Sequence, residues 1–239
     1  TLGKALHDMR ETLEGRRYVE NYVSTLTHEL KSPLAAIKGA AELLDEDMPA
    51  EKRKRFIHNI RRETARSESL VRDLVQLAEL ERKPHLENQR QLNLTKLCQE
   101  IVDEIRPRLT PKKLTLNTQI SQDINLTGDT MVLKLAIGNL LENAIGFSLE
   151  GSDLSLSLTV DEDQAVIQIE DQGPGIPDYA VERAFEHFYS LPRPGSDQKG
   201  TGLGLPLVRE AAKLHDGSAN LENRISGGCR ATLTLPVAS

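Results

Sequence analysis

"YVENYVSTLTHELKSPLAAIKGAAELL" (Tyr18–Leu44) is the stretch on which the reading of this chain turns. Val19, Val23, Leu26, Leu30, Pro33, Ile37, Ala40 and Leu44 follow alternating spacings of four and three. That is the seam of a helix packed lengthwise on another helix. An earlier set, Leu2, Leu6, Met9 and Leu13, keeps the spacing in a different register, and the two phases meet near Gly15, where a discontinuity in the coil is expected. "DEDMPAEKR" (Asp45–Arg53) reads as a turn with Pro49 at a helix start. The next helix is expected to face Phe56, Ile57, Ile60, Leu70, Val71, Leu74 and Leu77 inward. Two helices alone bury a core poorly. A second copy would close the seam as a homodimeric four-helix bundle, the alternative being that the hairpin packs on the rest of the same chain.

On this helix His28 lies off the seam. With Leu26 at zero and about 100° per residue, Leu30, Ile37 and Leu44 fall within about 40°, whereas His28 and Ser32 fall near 200° and 240°. An outward histidine is ordinarily incidental. This one has Glu29 beside it, Ser32 one turn on, and Pro33, which would free the carbonyl of residue 29 and can bend the helix. Neutral imidazole is a nucleophile, and an adjacent carboxylate can take the Nδ1 proton and leave Nε2 to attack.

Beyond the polar link "ERKPHLENQRQLN" (Glu81–Asn93) the texture changes. Leu94–Leu109 reads as a helix ended by prolines, Leu114–Ile120 as a strand, and Gly128–Ser148 as a long helix. Leu154–Asp171 and Ala219–Val237 read as two hairpins. Hairpins with helices on one face make an α+β sandwich. The fold class is therefore α+β: a helical hairpin followed by an α/β sandwich.

Two glycine motifs stand in this half, "DQGPGIP" (Asp171–Pro177) and "GTGLGLPLV" (Gly200–Val208). The second runs into a helix, whose free N–H groups and positive dipole end suit phosphate. Neither fits GxxxxGK[ST] or a parallel dinucleotide-binding unit. Asp171 follows a strand and can accept from an exocyclic amine such as adenine's; the plainer role is capping its own turn. Between the motifs, Val181–Gly200 reads as a short helix and a lid rich in chain breakers, or as an ordinary surface loop. In "NLLENA", Asn139 and Asn143 share a helix face. Their amide oxygens suit a hard cation such as Mg2+, or act as structural caps.

The 239 residues are 38% hydrophobic and 28% charged with a net charge of −6, so nothing favours nucleic acid as a partner. Cys98 and Cys229 form no metal or disulfide pattern. No apolar run approaches the roughly 20 residues of a membrane span. The first residue is Thr, which fits a piece of a longer protein.

Five motifs in order make the chain resemble a sensor histidine kinase of two-component signalling. "HELKSPL" (His28–Leu34) is similar to that family's H-box, "NLLENA" to its N-box and "DQGPGI" to its first glycine box. "FEHFY" (Phe185–Tyr189) is similar to its F-box, and "GTGLGL" (Gly200–Leu205) to its second glycine box. The resemblance implies a signalling coiled-coil helix (1–17), a dimerisation and histidine-phosphotransfer domain (18–83), a linker (84–92) and a Bergerat-type ATP-binding domain (93–239). It implies His28 as phosphoacceptor, Glu29 as general base, Ser32 positioning water in a phosphatase reaction, and Asp171 on the adenine amine. Gly173 and Gly175 would shape the adenine pocket. Asn143 with Asn139 would hold Mg2+. Lys199, Gly200, Thr201, Gly202, Leu203, Gly204 and Leu205 would lie against the phosphates of ATP. The partner would be the receiver domain of a response regulator, and a segment upstream would carry the membrane anchor, with this portion in the cytoplasm.

Two positions depart from the family. Gly146 stands where a basic residue is frequent, and Ser190 where Arg is frequent; Arg193 or Lys199 in the lid can substitute. Two other readings stay open: an ATPase without phosphotransfer, against which the H-box helix argues, and a nucleotide-binding signalling scaffold with weak or no kinase activity.

Overall fold

The computed structural model describes residues 2–195 and 199–237, with side chains from residue 22 onward. The chain divides into two compact units, Thr1–Arg72 and Asp73–Ser239.

The first unit is made by α1 (Leu2–Leu44) and most of α2 (Ala50–Glu81). α1 runs unbroken through Gly15, so the expected discontinuity there is not a break in the backbone. One glycine costs a helix only about 1 kcal/mol, which its neighbours absorb. The side chains around Gly15 lie outside the described residues. The helix also continues through Pro33, whose ring is buried. Ala40 and Leu70 are buried and Phe56 and Ile60 half-buried. Ile57 and Val71, expected inside, stand 39% and 49% exposed, and Val23 and Leu34 are more exposed still. A single hairpin has one contact stripe, so apolar residues beyond it remain uncovered in one copy.

The second unit adds β1 (Arg90–Asn93), α3 (Leu94–Leu109), β2 (Thr115–Ile120), β3 (Asn125–Gly128), α4 (Thr130–Phe147), β4 (Asp153–Asp161) and β5 (Gln164–Glu170). A short α5 (Asp178–Val181), α6 (Gly204–Leu214), β6 (Ser218–Asn223) and β7 (Cys229–Pro236) complete it. The main sheet has the order β2-β4-β5-β7-β6. Its burial alternates: Leu154, Leu156 and Leu158 of β4, Ala165, Ile167 and Ile169 of β5, and Ala231, Leu233 and Leu235 of β7 all face the core. Period-two burial leaves the opposite face to Ser, Thr and Gln. Helices α3, α4 and α6 pack on the sheet.

Two features were not foreseen. β2 and β4 pair in parallel, Thr115 opposite Asp153, with α4 in the crossover between them, so the sheet is mixed rather than built of hairpins alone. The polar link also supplies β1, which pairs antiparallel with β3. In the lid segment the helix is α5, which ends at Val181, and residues 182–187 form turns rather than the expected helix.

α4 begins where Asp129 Oδ1 accepts the N–H groups of Met131 (2.9 Å) and Val132 (3.3 Å), satisfying donors that a helix start leaves unpaired. It ends where Lys112 Nζ reaches the carbonyls of Ile145, Gly146 and Ser148 at 2.8, 2.8 and 3.0 Å. A cation at a helix C-terminus complements the dipole.

Candidate functional site

β5 delivers Asp171 to the first glycine loop. The carboxylate is buried, and Oδ1 accepts the N–H groups of Gly173 (2.8 Å) and Cys229 (3.2 Å). Oδ2 accepts no hydrogen bond among the described residues. Burial pushes this carboxyl above the usual range, and the two N–H groups and the nearby Arg224 charge pull it back. Arg224 Nη1 donates to the Asp171 carbonyl at 2.8 Å. Both sequence readings of Asp171 are therefore compatible: turn capping uses one oxygen and leaves the other. The loop lies tight on α4, since a Cβ at Gly173 would sit 2.5 Å from the Phe147 carbonyl oxygen. Only glycine permits that approach. Gly175 follows two residues later, and Asn223 closes on it by hydrogen bonds to Ile176.

The other wall of α4 faces the second glycine loop. Asn139 Nδ2 donates to Leu135 O at 2.9 Å. A Cβ placed on Gly204 would meet Asn139 Oδ1 at 2.9 Å and Asn143 Nδ2 at 3.7 Å. Asn143's amide carries no hydrogen bond among the described residues. Gly204 is the first residue of α6, and Leu203 at the cap position offers no side-chain acceptor, so the first N–H groups of α6 lack a side-chain cap. Thr201 Oγ1 accepts only weakly from Leu203 N, at 3.4 Å. Leu205 follows Gly204 in this first turn, half-buried. Gly202 has φ of 70°, and a side chain there would run into the Phe188 backbone at 2.4 Å. Phe188 N donates to Gly202 O at 2.9 Å, which ties the aromatic segment to the loop. Gly200 precedes Thr201, and Lys199, exposed, forms an isolated bridge with Pro192. Ser196–Gln198 of the lid lie outside the described residues.

In the first unit His28 and Ser32 are exposed on α1. Glu29 is half-buried, and its Oε2 pairs with Arg66 Nη2 of α2 at 3.0 Å. No hydrogen bond joins Glu29 to His28 among the described residues. Neighbours in sequence point about 100° apart on a helix, so Glu29 turns towards the hairpin partner while His28 turns to solvent. Arg66 escaped the sequence reading because its importance rests on contact with a residue 37 positions away.

Residues 19–83 match the His Kinase A (phospho-acceptor) domain, and residues 128–239 match the histidine kinase-, DNA gyrase B-, and HSP90-like ATPase domain. The chain belongs to the sensor histidine kinases. Among curated relatives it is similar to Sensor protein CreC of Escherichia coli K12, 44% identical across 98% of this chain and 49% of that protein. It is also similar to Sensor protein ChvG of Agrobacterium fabrum, 30% identical across 99% of this chain and 42% of that protein. The chain thus spans about half the length of the curated relatives it matches. Histidine kinase ThkA, solved in complex with response regulator protein TrrA, superposes with a TM-score of 0.77 at 20% identity, over 96% of this chain and 65% of that one. Acinetobacter baumannii histidine kinase AdeS does so at 0.68 and 21%, over 89% and 98%. Both carry the same fold.

Proposed function

We propose that this chain is the phosphoacceptor and ATP-binding portion of a sensor kinase, and that it transfers the γ-phosphoryl group of ATP to His28. The reading rests on one observation: α4 is a common wall, touching the Asp171 loop through Phe147 and the uncapped start of α6 through Asn139 and Asn143. A site with a single free carboxylate oxygen at one end and helix N–H groups at the other suits a purine joined to phosphates.

In this reading Asp171 Oδ2 accepts the adenine amine, and the first turn of α6 with the Gly200–Leu205 loop lies against the phosphates. Asn143, with Asn139, offers amide oxygens of the kind Mg2+ accepts, and Asn143's unengaged amide supports that fit. The ion, when bound, neutralises phosphate charge. His28 forms the N–P bond as the bond from the γ-phosphorus to the bridging oxygen breaks, and ADP leaves. Glu29 Oε1, the oxygen outside the Arg66 pair, takes the imidazole Nδ1 proton. The phosphoryl group then passes to an aspartate of a response regulator receiver domain, and Ser32 positions water for the phosphatase reaction, in which that aspartyl phosphate is hydrolysed to aspartate and inorganic phosphate. Positioning and charge neutralisation carry most of such a transfer.

The hairpin works as a homodimer, with Val23, Leu34, Ile57 and Val71 as the uncovered apolar set. No described helix is long and apolar enough to cross a membrane. Likeness to full-length sensor proteins supports a cytoplasmic place below a membrane-anchored upstream segment.

Incubation with γ-labelled ATP and Mg2+ tests the reading. An acid-labile, base-stable label is expected on the protein and is expected to vanish in His28→Gln. Label that survives in that variant sinks the assignment.

A further inference from the structure

Gly146 lies on α4 three residues after Asn143, at a place where a side chain would point into the proposed nucleotide site. A Cβ built there meets three heavy atoms first, and all belong to one residue: Arg193 Nε at 3.0 Å, Cζ at 3.1 Å and Nη2 at 3.4 Å. The guanidinium of the lid segment therefore lies over the bare backbone of Gly146. A Cβ on Gly200, at the mouth of the second glycine loop, would lie 3.8 Å from Arg193 Nη2. The group sits between the end of the helix that carries Asn143 and the start of the phosphate-facing loop.

Two observations find this guanidinium without an anion among the described residues. Its Nε is buried with no hydrogen-bond partner among the described residues. None of the ion pairs among the described residues includes Arg193, whereas Arg183, Arg224 and Arg230 each have a carboxylate. Its charge is also felt by Lys112, which burial and then Arg193 push below the usual lysine range. Lys112 donates to three carbonyls, whereas Arg193 Nε has no acceptor among the described residues. An arginine fork is suited to phosphate oxygens.

We propose that Arg193 is the cation that holds the terminal phosphates of ATP in this protein, and that Gly146 is its seat. Gly146 and Arg193 act as one unit: the missing side chain on α4 makes room for a charge delivered from the lid. This rests on the ATP reading above. Lys199, the other lid cation, is exposed and has no such seat.

Binding of AMP, ADP and the β,γ-imido analogue of ATP, with Mg2+, to the full chain tests the proposal by calorimetry. Arg193→Ala is expected to leave AMP affinity unchanged and to lower affinity for the triphosphate analogue at least tenfold, with Arg193→Lys intermediate. Gly146→Val is expected to produce a similar triphosphate-selective loss by displacing the guanidinium, and to add nothing in the Arg193→Ala background. Equal losses for all three nucleotides, no loss, or additive losses in the double variant would each overturn it. Asp171→Asn separates the two levels. The amide oxygen can still accept from Gly173 and Cys229, but its NH2 faces the adenine amine donor to donor. If that variant loses all three nucleotides while Arg193→Ala binds normally, the site reading stands and this proposal fails. If the unaltered chain binds none of them, both fail.

Discussion

Asn223 grips Ile176 by both of its backbone groups: Nδ2 donates to the Ile176 carbonyl at 2.7 Å, and Oδ1 accepts the Ile176 N–H at 2.7 Å. An amide side chain thereby substitutes for one rung of a β ladder and anchors the Asp171–Ile176 loop to the end of β6. Each such bond contributes about 0.5–1.5 kcal/mol net. Asn223→Ala is expected to loosen the loop, raise amide exchange across residues 173–176, and weaken adenine nucleotide binding about tenfold. Exchange that stays at the unaltered rate would show that the loop holds itself.

The Glu29–Arg66 pair joins α1 to α2 at half-exposed positions, where such pairs contribute at most about 1 kcal/mol. Arg66→Ala is therefore expected to leave the melting temperature nearly unchanged. Its effect should fall on the orientation of the Glu29 carboxylate beside His28. Glu29→Gln is expected to slow single-turnover phosphorylation of His28 by about a hundredfold, the low end for loss of a general base. Nucleotide affinity should not change in either variant. A Glu29→Gln protein that labels at the normal rate would leave Glu29 with only its structural pair.

His215 ties the end of α6 to the start of α4. Its Nδ1 donates to Ala211 O at 2.7 Å, and Nε2 accepts from Asp129 N at 3.0 Å, which makes the ring neutral in the fold. Burial lowers its pKa from 6.5, against the Ala211 bond and the charges of Asp129 and Asp216, which raise it. The unfolded chain then binds the proton more readily than the folded one. Stability from this group is complete above about pH 6.5 and is lost as pH falls from there towards the lower folded pKa. Melting temperature is expected to drop between pH 7.5 and 5.5, and His215→Gln should be less stable at pH 7.5 but flatter across that range. An equal pH slope in the variant would assign the loss to other groups.

Val71 stands 49% exposed on α2 in a single copy. A charge there would have to be desolvated if a second hairpin covers it. Val71→Glu is expected to shift the chain from dimer to monomer in sedimentation while nucleotide affinity is retained. A dimer of unchanged strength would place the interface elsewhere.

What was legible in the residues was whatever is local. The heptad spacing of Val19–Leu44 announces α1, alternation announces β4, β5 and β7, and five short motifs in order announce the family, because each needs only a few neighbouring side chains. The offset of His28 from the seam likewise follows from helix geometry alone, and His28 is exposed. Tertiary structure decided the rest: the parallel β2–β4 pair, the β1–β3 ribbon, the Glu29–Arg66 pair, the Asn223–Ile176 grip and the seating of Arg193 on Gly146. These partners lie far apart in sequence, and closing a long loop costs little more than closing a shorter one, so no local pattern marks which distant residue will arrive. A bare glycine and a lone lid arginine carry no visible relation until packing lays one over the other.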